Sequence, residues 1–264
     1  MTEKRSDKPQ DPALKTIVIT GGATGIGFDT AKLLLESGPY RVALIGRDQA
    51  LLDEAARSLE KGSDYISTFQ CDLKEPAQVQ KTVSKILAVH KTVYGLVNNA
   101  GVYPFGGVLD TTMETWNEAF DVNLRAAFLL CQGLIPAMKK SQEGGRIVNV
   151  SSTAGILPNH FALAYSVSKA ALIQLTKTIA KEVGKEGITV NCICPGIVRS
   201  PLHEANHSSR SELEEFYARR GSTFPLGRVG EPKDIAGTIR FFLSDDAAWI
   251  TGDTCVIDGG RLLL

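Results

Sequence analysis

The chain of 264 residues lacks a net charge, with 29 lysines and arginines against 29 aspartates and glutamates. Nucleic acid and anionic membrane both reward a basic excess, so neither partner is expected. A local basic pocket survives a zero sum. No apolar run reaches the roughly 18 residues that a membrane span requires. Residues 1–15 are polar, include Pro9 and Pro12, and lack the apolar stretch of a secretory signal. They read as a flexible leader on a cytoplasmic protein. The C-terminal Arg261-Leu262-Leu263-Leu264 matches no targeting signal. Cysteine is sparse: Cys71, Cys131, Cys192, Cys194 and Cys255 are an odd set without zinc-like spacing, so no metal site is expected. Buried thiols in a reducing compartment are the expectation, with Cys192 and Cys194 on opposite faces of a strand.

What is present is an ordinary globular composition, 43% hydrophobic and 22% charged, which excludes wholesale disorder. Short apolar runs alternate with helical periodicity. Strands are predicted at 16–20, 41–45, 65–70, 93–97, 146–150, 189–193 and 255–257. Helices are predicted at 25–36, 51–59, from Pro76 onward, at 113–138 and at 165–183. Strands without polar alternation, separated by helices, imply a parallel sheet covered on both faces. The prediction is an α/β fold, a Rossmann-type doubly wound sheet of about seven strands, in one domain spanning 16–264. The polar stretch 200–232 interrupts the pattern. It is expected to hold a short helix and to form a lid over a site.

Between the first strand and first helix stands Gly21-Gly22-Ala23-Thr24-Gly25-Ile26-Gly27. Gly21 permits a sharp turn, Gly25 a close approach of backbone to a pyrophosphate, and Gly27 tight helix–sheet packing. The helix N-terminus would offer free N–H groups to phosphate. Farther on, Tyr165 and Lys169 lie four residues apart on one helix face. A tyrosine ionises near pH 10, and a neighbouring ammonium favours its phenolate. Such a tyrosine can exchange a proton with a carbonyl oxygen.

The Gly-x-x-x-Gly-x-Gly spacing, Asn98-Asn99-Ala100-Gly101, Asn123, Ser151-Ser152, Tyr165-x-x-x-Lys169, Pro195-Gly196, Ile250-Thr251-Gly252 and Asp258-Gly259-Gly260 follow one another in order. In these motifs the chain resembles the short-chain dehydrogenase/reductase family from about Thr16 to Gly260. The resemblance implies a catalytic set of Asn123, Ser152, Tyr165 and Lys169. Ser152 would polarise the substrate oxygen, and Asn123 would support a water linking Lys169 to solvent. It implies a nicotinamide cofactor held by Gly21, Thr24, Gly25, Ile26, Gly27, Arg47, Asp72, Leu73, Asn99, Ala100, Gly101, Tyr165, Lys169, Pro195, Gly196, Val198 and Ser200. Gly46 stands where NAD-dependent members carry aspartate, and Arg47 can hold a 2′-phosphate, so NADP(H) is favoured with NAD(H) the second possibility. Asp48 is expected to cap the next helix.

The expected activity is reduction of a carbonyl or oxidation of a secondary alcohol on a small-molecule substrate. The alternative is a non-catalytic NADP(H)-sensing regulatory protein. The pocket is expected from 102–105, 155–161 and 200–225, with Tyr103, Phe105, Leu157 and Phe161 in its wall and His160 at the surface or the pocket rim rather than acting as a base. A homotetramer, or a homodimer, is implied by the resemblance and by apolar residues on more than one side of two helices (Phe120, Phe128, Leu129, Leu130; Leu172, Ile173, Leu175).

Overall fold

The computed structural model describes residues 14–62, 64–141, 143–204 and 207–264. Strand β1 (Lys15–Thr20) turns Ile17 and Ile19 to one face and Val18 to the other, all fully buried. The same double burial recurs in β2 (Tyr40–Gly46), where Val42 and Leu44 oppose Ala43 and Ile45. A strand buried on both faces needs helices on both, and the chain supplies them. Helices α1 (Gly25–Ser37) and α2 (Gln49–Ser58) cover the first face through Ala31, Leu34, Leu52 and Ala55. After β3 (Ile66–Gln70), helix α3 (Pro76–His90) covers the second through Val79, Val83 and Ile86.

Strand β4 (Gly95–Asn98) is followed by α4 (Met113–Phe120) and α5 (Ala126–Met138), then β5 (Gly145–Val150) and α6 (Leu163–Val183). Next come β6 (Ile188–Pro195), α7 (Pro201–Glu204), α8 (Arg210–Gly221), α9 (Pro232–Leu243) and β7 (Thr254–Ile257). All seven strands are parallel in the order β3-β2-β1-β4-β5-β6-β7. The order reverses between β1 and β4, which opens a crevice at the carboxyl ends of the strands. This is the expected seven-stranded, doubly wound single domain.

Four expectations need correction. The leader was drawn to residue 15, but Lys15 belongs to β1. Its N–H donates to Pro39 O at 2.7 Å and its ammonium pairs with Glu143 at 3.2 Å. The leader's residues 1–13 lie outside the described residues. The helix expected over 113–138 is interrupted by a π-helical turn, Asp121–Arg125, in which the Ala126 N–H reaches back to Asp121 O. The 200–232 stretch holds two helices, α7 and α8, rather than one. Finally, the Cys192 and Cys194 side chains share a face and a hydrogen bond, because residues two apart in a strand point the same way. Four of the five cysteines are buried and all are free thiols. Among the described residues, no helix is long and apolar enough to cross a membrane.

Candidate active site

The crevice is a cavity of about 1100 Å3 that runs from the glycine turn to the lid helices. At one end, β1 hands the chain to α1 through Gly21. A Cβ on Gly27 would lie 2.2 Å from Gly21 O, so only glycine lets the helix sit this close to the turn. Gly25 adopts a φ of +53°, and its Cα faces Ser200, whose Cβ would be 3.5 Å from an added Cβ. The Thr24 side chain does not cap α1, which leaves the first N–H groups of the helix to a ligand or water. The turn is tied to the next strand end: Thr20 Oγ1 accepts from Asn99 N–H (2.9 Å) and Ala100 N–H (3.0 Å). Gly21, Thr24, Gly25, Ile26, Arg47, Asp72, Leu73, Asn99, Ala100 and Gly101 all line the cavity; Gly27 packs behind it.

At the end of β2, Arg47 is exposed and has no carboxylate within 4 Å among the described residues. Asp48 takes the helix-capping position expected of it, its Oδ1 accepting from Ala50 N–H at 2.8 Å and Leu51 N–H at 3.2 Å. Asp72 is engaged in its own turn, accepting from Lys74 N–H at 3.0 Å. Pro195 at the end of β6 and Gly196, Val198 and Ser200 after it close the opposite wall.

The structure brings Ser152, Tyr165 and Lys169 together in the cavity wall, and Asn123 is buried behind them. Burial pushes the Tyr165 phenol up to about 12, while a hydrogen bond with Ser152 and the positive charge of Arg261 pull it back. Lys169 is buried beside the phenol. Its ammonium donates to Val150 O at 2.8 Å and stands 5.8 Å from the centroid of the Tyr165 ring. Burial pulls Lys169 down to about 8. Burial and the Ser152 hydrogen bond are the largest influences on the phenol, ahead of the charge of Arg261. Ser151 points away, as its alternation demands, and its hydroxyl donates to Lys169 O at 2.8 Å.

Asn123 sits in the π-helical turn with its amide fully engaged. It accepts from Val102 N–H (2.8 Å) and donates to Val102 O (3.0 Å) and Ser168 Oγ (3.0 Å). It clamps the loop that carries Tyr103, whose ring meets the Tyr165 ring edge-on at 4.6 Å.

Tyr103, Phe105 and Phe161 line the cavity as expected, but Leu157 does not. The loop turns at Asn159, which donates to Tyr103 Oη at 3.0 Å, and His160 packs on Phe161 outside. His203 and Arg220 fall in the 200–225 stretch expected at the pocket, and Arg261, outside every expected stretch, lines it too. The turn signal Asp258-Gly259-Gly260 just before Arg261 was the clue to the last of them.

A family model described as enoyl-(acyl carrier protein) reductase matches residues 21–261. The chain belongs to the short-chain dehydrogenase/reductase family. It is 34% identical over 253 residues to dehydrogenase/reductase SDR family member 4 of Homo sapiens, covering 95% of this chain and 89% of that protein. It is 35% identical over 246 residues to 2-(S)-hydroxypropyl-CoM dehydrogenase 3 of Xanthobacter autotrophicus, covering 93% and 96%. Among solved structures it is similar to levodione reductase, with a TM-score of 0.85 and 27% identity over 95% of this chain and 98% of that one. A short-chain dehydrogenase/reductase from Mycobacterium marinum gives the same TM-score at 30% identity, covering 95% and 96%. As a member of this family the chain is an oxidoreductase acting on alcohol or carbonyl groups, and the family works with NAD(H) or NADP(H).

Proposed function

We propose that this chain is an NADP(H)-preferring carbonyl reductase or secondary-alcohol dehydrogenase in which Tyr165 exchanges the proton. The carrying observation is that Tyr165, Ser152 and Lys169 lie in one cavity with the uncapped start of α1 and the unpaired Arg47. The residues present fit a nicotinamide dinucleotide. The first N–H groups of α1 suit its pyrophosphate, and the Arg47 fork suits a 2′-phosphate. Asp72 and Leu73 would flank the adenine, and Ser200 would meet the carboxamide. Asp48 is committed to its helix cap, which removes the carboxylate that would compete for the ribose.

When bound, the nicotinamide supplies or takes the hydride, which side chains cannot carry. In reduction the C=O π bond breaks, the carbon gains the hydride, and the oxygen takes the Tyr165 phenolic proton. Ser152 hydrogen-bonds the same oxygen and favours the charge developing there. The raised pKa of Tyr165 keeps it a proton donor at neutral pH in the free protein. Lys169 and Arg261 stabilise the phenolate left behind. Asn123 holds the Tyr103 loop against Tyr165.

A non-catalytic NADP(H) sensor would need no such group of proton-exchanging residues, and the proposal sets it aside. The protein is further proposed to work as a homotetramer, or a homodimer, in the cytoplasm.

The test is Tyr165→Phe, assayed by nicotinamide absorbance against ketones, diketones and acyl thioesters with both nucleotides. Turnover should vanish while nucleotide affinity stays within about threefold. Turnover near that of the parent would overturn the assignment.

A further inference from the structure

At the end of the cavity beyond Tyr165, two arginines lie with no carboxylate within 4 Å among the described residues. The feature begins with a turn. Asp258 accepts from Gly260 N–H at 2.9 Å and Leu262 N–H at 2.8 Å, and Gly260 adopts a φ of +86°. A Cβ there would come within 2.6 Å of Pro225 Cγ, so the reversal depends on glycine. The turn sends Arg261 into the cavity, where its Nη1 donates to Thr153 Oγ1 at 3.1 Å. Thr153 follows Ser152 directly. That is the one hydrogen bond of this side chain among the described residues, although a guanidinium has five N–H donors.

Arg220, on α8, lines the same cavity with its guanidinium 5.8 Å from the Phe216 ring centroid. Burial and then the charge of Arg220 depress the pKa of Arg261, against the opposing pull of the Asp258 carboxylate. His203 lies between, its ring 5.8 Å from both Tyr103 and Phe216. Burial, His207 and Arg261 hold His203 down to about 4, so it is neutral at neutral pH.

Elsewhere the arginines that brace the fold meet a carboxylate: Arg125 with Asp121, Arg146 with Asp245, Arg199 with Glu214 and Glu231, Arg228 with Asp234. Arg220 and Arg261 have none within 4 Å among the described residues. Asp258 is near Arg261, but both of its oxygens are engaged by backbone. Asp110 also lines the cavity, beside Gly107. Arg261 is half-buried and Arg220 exposed, and like charges facing one cavity are unfavourable until an anion joins them.

We propose that the substrate is anionic, an oxo acid or hydroxy acid whose carboxylate is held by Arg261 with Arg220 while its reacting carbon lies at Tyr165 and Ser152. The inference rests on the carbonyl–alcohol reading above. The bond from Arg261 to Thr153 sets the spacing: carboxylate and reacting carbon are separated by a few bonds. His203 and the Tyr103 and Phe216 rings enclose the space between them.

Matched pairs test this. With saturating NADPH, 3-oxobutanoate and 4-oxopentanoate are compared with their methyl esters by kcat/KM. Each acid should exceed its ester by at least tenfold. Arg261→Gln should lower the acid-to-ester ratio ten- to hundredfold, the range for a lost charge-assisted contact. Arg261→Lys should recover part of the ratio, and Arg220→Gln should lower it less. In parallel, binding of 4-oxopentanoate to the NADPH complex of Tyr165→Phe, read by nucleotide fluorescence, should weaken by the same factor in the double variant with Arg261→Gln.

Esters used as well as acids, or a ratio unchanged by Arg261→Gln, would overturn the proposal and leave carbonyl reduction standing. Oxo acid that binds through Arg261 but is never turned over would support the anion site and overturn the catalytic reading. Neither turnover nor binding would overturn both.

Discussion

The Asn123 amide grips both backbone groups of one residue, accepting from Val102 N–H at 2.8 Å and donating to Val102 O at 3.0 Å. This pairing imitates a strand rung between a π-helical turn and a loop. It fixes the loop at Val102, so the Tyr103 ring is held against Tyr165 without a strand to support it. π-helical turns recur at functional sites because they push residues out of regular helical register.

Asn123→Ala should therefore act on stability and on the site together. It strands the Val102 N–H and carbonyl in a half-buried setting, while the Ser168 hydroxyl keeps its bond to Tyr165 O. Each unmet group costs about 1–3 kcal/mol. Urea denaturation should show a loss of about 2 kcal/mol or more, and KM for the carbonyl compound should rise as the Tyr103 wall loosens. Loss below about 0.5 kcal/mol would mean that the loop holds itself in place.

Lys169 offers a test by pH. Its folded pKa is depressed from 10.5 to about 8 by burial. Between those values the unfolded chain binds the proton and the folded one does not, so stability rises with pH across that window. Tyr165 works in the opposite sense. Its folded pKa is raised from 10.0 to about 12, so its contribution is present below pH 10 and is lost as pH rises towards 12. Denaturation at pH 7.5 and 9.5 isolates the lysine when the parent is compared with Lys169→Met. The parent should gain on the order of 1–2 kcal/mol relative to the variant over that interval. Equal pH dependence in both proteins would mean that the ammonium is hydrated in solution.

How far the sequence reaches is clear from individual residues. Tyr165 and Lys169 are legible because four-residue spacing on a helix is local geometry. Gly27 is legible because a strand–turn–helix contact leaves no room for a side chain. Asp48 as a helix cap follows from its place just before an apolar-periodic run. The π-helical turn at Asn123 carries no proline or glycine to announce it, so the helix reads as continuous. Leu157 is expected in the cavity wall by proximity in sequence, but the turn at Asn159 sends it out. Arg261 is the largest omission. Its position depends on Pro225 meeting Gly260 and on Thr153 receiving the guanidinium, contacts between segments far apart in the chain.

Assembly is the next outcome to measure. The helices expected to be apolar on several sides turn out to bury Leu130 and Leu172 in the core. What remains outward on them is Met113, 69% exposed, Phe128 at 43% and Val167 at 42%, and Trp249, between α9 and β7, is 99% exposed. Large apolar side chains left in water favour contact with a second copy. Light scattering at micromolar concentration should give a tetramer, or a dimer at least. Replacing Phe128 with Asp should reduce the mass. A parent protein that is monomeric would overturn the expectation.

The final prediction concerns the nucleotide. Arg47 is exposed at the end of β2, and the adjacent Asp48 carboxylate is turned into the start of α2, with 2.8 Å to Ala50 N–H. A guanidinium there meets a 2′-phosphate without a competing acid. Arg47→Ala should weaken NADPH binding by about ten- to hundredfold, the value of a charge-assisted contact, and change NADH affinity little. Because the contact is open to solvent, added salt should shrink the difference between the parent and the variant. Gly46→Asp should push the same way by repelling the phosphate, although its Cβ would press on Leu52 Cδ2 at 3.3 Å, so its folding must be checked alongside. Fluorescence titration of both nucleotides decides the matter. NADH bound more tightly than NADPH by the parent would overturn the preference and make Asp48 the ribose ligand. An equal loss for both nucleotides in Arg47→Ala would mean that Arg47 stacks on the adenine common to the two.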